Sequence, residues 1–159
     1  MPKEVMERRA SDNEYLHRDF HGALSSALIY LEERFGPEAV REYLGEFAHA
    51  YYAPLREDLL ARGLPAIAER LRRVYETEGG EARLRLTDDE LIVEVPACPA
   101  VRHMRARGYA VSPMWRETIR SVNEGICEGT PWEFELLQYR EDTGASTGRF
   151  FRREEADAQ

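Results

Sequence analysis

Near residue 80 the spacing of apolar side chains changes from a helical period to strict alternation, and this break constrains the fold more than any other feature. Before it, Leu16, Phe20, Ala23, Leu24, Ala27, Leu28 and Leu31 recur at helical spacing, with Ser11 or Asp12 placed to cap them. Gly36-Pro37 ends that helix and starts another, which carries Val40, Tyr43, Leu44, Phe47, Ala48, Tyr51 and Leu55 until Pro54 breaks it near Ala53. A third helix runs from about Leu64 to Thr77, and Gly79-Gly80 closes it. Beyond the break, residues 82–86 and 90–96 alternate about a Thr87-Asp88-Asp89 turn and predict a hairpin. A short helix leads to Gly108, and a longer one spans about Pro113 to Cys127 with Trp115, Ile119, Val122 and Ile126 inward. Residues 132–139 and 147–151 form a second hairpin about Glu141-Asp142-Thr143-Gly144. Helices first and hairpins later predict an α+β fold, a four-stranded antiparallel sheet with helices packed on one face.

A chain of 159 residues suits a single domain, with an ordered core over about 11–153 and frayed ends. The net charge of −8 argues against nucleic acid or an anionic membrane as the main partner. The basic cluster Arg70-Leu71-Arg72-Arg73 can still meet a small anion. Lys3 is the only lysine, and this arginine bias points to a GC-rich, bacterial type of genome. The charged start carries no secretory signal, and no apolar run reaches the length of a membrane span, so the expected compartment is the cytoplasm. There the two cysteines, Cys98 and Cys127, stay reduced; neither belongs to a CxxC pair.

Cys98-Pro99 is the best lead to chemistry. Proline favours the first helical position, so Cys98 falls at the N-cap of the short helix. The helix dipole and free amides there favour the thiolate and predict a lowered thiol pKa. Arg102, one turn on, is placed to support it, and His103 can reach the same cleft from another side or sit on the helix surface. Cys127 ends its helix one turn after Asn123, and reads as a small core residue or as a partner to Cys98. Tyr51 and Tyr52 precede the Pro54 break and either line a pocket or fill core.

A second lead is Glu14, His17 and His21, successive turns of one helix flank at the core boundary. His-x3-His can clamp a transition metal such as zinc, with the carboxylate as third ligand or orienter. The plainer reading, two packed and hydrogen-bonded boundary histidines, stands ahead of a metal or catalytic role. His49 should face solvent. No P-loop, GxGxxG, GxSxG or zinc-finger spacing is present, so nucleotide binding and serine-hydrolase chemistry have no support.

The order of features over about Leu64 to Arg153 resembles the L-2-amino-thiazoline-4-carboxylic acid hydrolase-like family, itself distantly similar to 4-vinyl reductase-type ligand-binding domains. It rests on a helical arm, the strand 90–95, Cys98-Pro99, a short helix to Gly108, a helix ending at Cys127-Glu128-Gly129, and two strands finishing Arg149-Phe150-Phe151-Arg152. The resemblance implies an α+β small-molecule binder, ring-opening hydrolysis of a cyclic thiazoline acid, and Cys98 as the key residue. Val111-Ser112-Pro113-Met114 and Ser146-Thr147-Gly148 stand where it implies further cysteines.

Three readings follow. One is a small hydrolase with Cys98 as nucleophile or ligand and His17 or His21 as base or metal ligand. The next is a non-catalytic domain that senses or carries a small molecule or metal. The last is an assembly role, with the amphipathic helices forming a homodimer.

Overall fold

The computed structural model describes residues 18–154. Its elements run α1 (Asp19–Phe35), α2 (Pro37–Tyr51), α3 (Ala53–Arg62), α4 (Leu64–Glu78), β1 (Arg83–Leu86), β2 (Glu90–Val95), α5 (Pro99–Arg107), α6 (Glu117–Cys127), β3 (Trp132–Tyr139) and β4 (Ser146–Arg152). The fold is α+β, as the change of period predicts. The four strands are antiparallel in the order β1-β2-β4-β3. Both expected hairpins form, and β4 joins them by pairing with β2.

Alternation gives the sheet one wet and one dry face. Leu91, Val93 and Val95 of β2, Phe150 of β4, and Trp132 and Phe134 of β3 are buried against the helices. Leu91 lies opposite Phe150, and Phe134 lies opposite Phe150 from the other side. Burying each such side chain stabilises the fold by about 1.5–3 kcal/mol relative to leaving it exposed. The other face carries charge, including the Arg149–Glu90 pair at 2.5 Å. In β3 a bulge between Leu136 and Gln138 shifts the register by one residue. Tyr139 thereby pairs with buried Ser146 and turns to the helical side, where unbroken alternation would have sent it outward.

The helical layer differs from expectation in two places. Pro54 does break the second helix, at Tyr52, but the chain resumes helix at once as α3. Proline sits in the first turn of α3, where its missing N–H costs nothing. The helix expected from Pro113 begins only at Glu117, because Ser112 and Met114 carbonyls take the Trp115 and Glu117 amides in tight turns. Buried Ser25 fastens α1 to this loop: its hydroxyl donates to the Ala110 carbonyl at 2.6 Å and accepts from the Ser112 amide at 2.8 Å. The α2–α6 seam holds the buried Glu117 carboxylate, which accepts from Ser121 at 2.6 Å and pairs with Arg41 and Arg120. No described helix is long and apolar enough to cross a membrane.

Candidate functional site

Cys98 is the N-cap of α5, with extended backbone angles, as the Cys-Pro pattern predicts. Its amide donates to the Thr143 carbonyl at 2.9 Å, which fastens it to the β3–β4 turn. Gly144 in that turn has φ 66°, and a Cβ there would stand 2.5 Å from the Cys98 Cβ. Only glycine suits both the backbone and the contact. The expected lowering of the thiol pKa is overturned: burial pushes it up. The Val101 and Ala100 amides and the Trp115 indole favour the thiolate, and the Glu78 carboxylate opposes it. Desolvation outweighs the helix cap because the sulfur is largely shut off from water.

Glu78, the last residue of α4, is the group that sequence reasoning missed. A carboxylate at a helix C-terminus sits at the negative end of the dipole, where a cation is normally favoured. The last turns of α1, α3 and α5 carry arginine, whereas those of α4 and α6 carry no basic residue, so the sequence held no signal that singles out Glu78. The Glu78 side chain is only 13% exposed, and its Oε1 stands 3.4 Å from Nε2 of His21 on α1, itself 19% exposed. The pair is close enough for electrostatic attraction, yet this buried Nε2 has no hydrogen bond of proper geometry among the described residues. The imidazole meets buried Trp115 edge-on, with ring centroids 6.4 Å apart.

Two tyrosines complete the group. Burial, then the charges of Cys98 and Glu78, raise the Tyr75 hydroxyl far above its ordinary range. Tyr139, brought inward by the bulge, is pushed up to about 12 by burial and then by Cys98. Gly80 lets α4 end against α5, since a Cβ there would collide with the Pro99 ring. His21 on α1 stands against Glu78 on α4 and Trp115 in the loop before α6, while the charges of Glu78 and Cys98 reach Tyr75 and that of Cys98 reaches Tyr139, so these groups border one region of the molecule. The half-buried groups can hydrogen-bond a small molecule, and the carboxylate–imidazole pair can move a proton.

Other predicted residues go elsewhere. Glu14 and His17 lie outside the described residues. Among the described residues no group of three or more His, Cys, Asp or Glu could hold a metal ion, and His21 faces Glu78 and Trp115. Cys127 is core: it is 2% exposed, burial pushes its thiol up to about 12, and the charges acting on it are Arg153, Glu133 and Glu124. Glu124 lies on α6 itself, and Glu133, paired with Arg153, stands at the start of β3, whereas Tyr139, which feels the Cys98 charge, ends that strand, so Cys127 does not join Cys98. Asn123 is half-buried on α6, one turn before Cys127. His103 is held by Asp19 at 3.2 Å and meets the Tyr109 ring. Arg102 donates to the Gly79 carbonyl at the end of α4. Tyr51 is 61% exposed and stacks on Phe47, while Tyr52 turns inward. His49 is half-buried and pairs with Glu128 at 2.6 Å, so it does not simply face solvent.

No protein-family model matches the chain, and no curated protein matches it.

Proposed function

We propose that this chain binds a small cyclic or amide-like molecule beside the end of α4 and hydrolyses it, with Cys98, His21 and Glu78 as the working groups. The observation that carries this reading is the His21–Glu78 pair, 3.4 Å apart and half-enclosed, whose carboxylate also acts on the Cys98 thiol. Buried charge without a full set of partners is costly in a purely structural role and common at reacting sites.

A neutral thiol needs a base, and His21 backed by Glu78 supplies one. With a cyclic thiazoline amidine, the Cys98 sulfur bonds to the amidine carbon while the ring carbon–sulfur bond breaks. The thiol proton, carried by His21, goes to the departing ring sulfur. Water then adds to the same carbon, its bond to Cys98 breaks, and a proton returns to the cysteine. One water is consumed, and the enzyme is restored. The resemblance to L-2-amino-thiazoline-4-carboxylic acid hydrolases supplies this substrate, and the cytoplasm is the compartment that keeps Cys98 reduced.

A second reading, ligand binding without turnover, draws on the burial that holds Cys98 neutral. One experiment separates them: incubate the protein with L-2-amino-thiazoline-4-carboxylic acid and a panel of small amides, and follow ring-opened or hydrolysed product by NMR. Hydrolysis that falls at least about a hundred-fold in Cys98→Ser and in His21→Ala supports the enzyme. Stoichiometric binding with no product supports the carrier or sensor. Turnover unchanged in Cys98→Ser overturns the mechanism.

A further inference from the structure

The α4 helix carries a second polar station, two turns before Glu78. Arg70 is half-buried, and its guanidinium lies 5.8 Å from the centroid of the inward Tyr52 ring. Burial pushes the Tyr52 hydroxyl up, and Arg70 beside it pulls the other way. Among the described residues no carboxylate pairs with Arg70, whereas Arg62 on α3 holds both Asp58 and Glu69. A half-buried guanidinium without an acid is a ready seat for an anion.

Between the two stations the apolar face of α4 is incompletely covered. Leu64, Ala66, Ile67 and Ala68 in its first half are buried, but Leu71, Val74 and Tyr75 in its second half are only half-buried. Among the described residues α4 packs on α3, β1 and β2, with no comparable backbone packing against α1 or α2. The eight residue steps from Arg70 to Glu78 rise about 12 Å along the helix. A five-membered ring acid at His21 occupies one end only, and a ligand that fills both ends carries a longer body.

We infer that this cleft takes an elongated amphipathic monoanion, its carboxylate on Arg70 and Tyr52, its apolar body along Leu71, Val74 and Tyr75, and a carbonyl or amide group at His21. The far end of the ligand rests on the reading given under Proposed function; the anion seat does not.

The test is calorimetry with three probes: a medium-chain ω-carbamoyl carboxylate, the matching diamide, and the short succinamic acid. The wild-type protein should bind the medium-chain carboxylate roughly ten-fold or more tightly than either control. Arg70→Gln should erase the preference for carboxylate over diamide, with an unchanged circular dichroism spectrum and melting temperature reporting an intact fold. Arg70→Lys should keep part of the preference. Equal binding of carboxylate and diamide by the wild type, or an undiminished preference in Arg70→Gln, overturns the inference. The two readings fail separately. Loss of the Arg70 effect with retained dependence of binding and turnover on His21 removes only the anion seat. An Arg70-dependent preference with no dependence on His21 or Cys98 removes only the hydrolytic reading.

Discussion

The seam between α2 and α6 and the cleft beside the end of α4 each enclose one glutamate. Glu117 in the seam has a side chain 2% exposed, and it is answered by a serine hydroxyl and two arginines. Glu78 in the cleft is 13% exposed and has one imidazole 3.4 Å away, with no arginine on its side-chain oxygens among the described residues. The first arrangement satisfies the carboxylate's acceptors and ties two helices together. The second leaves capacity unused at a half-open place. Enclosure alone therefore does not mark a site; enclosure with incomplete partnering does.

Breaking the seam should give the largest effect. Glu117→Ala strands the Ser121 hydroxyl and separates two guanidinium groups that still reach water, for a loss of about 2–3 kcal/mol in urea unfolding. Glu78→Ala should cost less than about 1 kcal/mol in the same assay. Equal losses would erase the contrast between the two regions.

Gly144→Ala comes next. It forces an L side chain to φ 66° against Cys98, and should cost about 1–2 kcal/mol while changing the rate at which Cys98 is alkylated. A stable variant with an unchanged rate would show that the turn does not position the thiol.

Alkaline titration follows. Both thiols are raised in the folded state, Cys127 to about 12, so their contribution is fully present below the unfolded thiol pKa of about 8.5. It is lost as pH climbs through the folded values, and the melting temperature should fall over that window. Cys127→Ala should flatten the part of the decline due to that residue.

The finest test is the alkylation profile of Cys98 itself. Because its pKa is raised and Glu78 opposes the thiolate, iodoacetamide should react more slowly near neutrality than with a free cysteine. Glu78→Gln should move the profile to lower pH. A profile that stays in place would detach Glu78 from the thiol.

Much of the frame was legible because it follows local periodicity. The break at residue 80, both hairpins and the Cys98 cap depend on neighbours in sequence. The helix α3 was missed because Leu59 is its only buried residue, so it shows almost no apolar stripe. The site was less readable, since its members come from segments distant in the chain. Glu78 looks like one more acid in a charged helix end until His21 is beside it. Tyr139 points inward only because of a bulge, which alternation cannot announce. The thiol was misjudged in sign because the cap is visible in sequence and the depth of burial is not.

The strand order carries a consequence for the birth of the molecule. β4 lies between β2 and β3, yet it is made after every other described strand. Until it leaves the ribosome, β2 has only β1 beside it, and β3 has no partner at all. Leu91, Val93 and Phe134 then lack the strand that completes their sheet, a window in which the nascent chain is open to wrong pairing. The same late strand opens from the turn that grips Cys98, so the thiol is seated only when translation has passed Arg152.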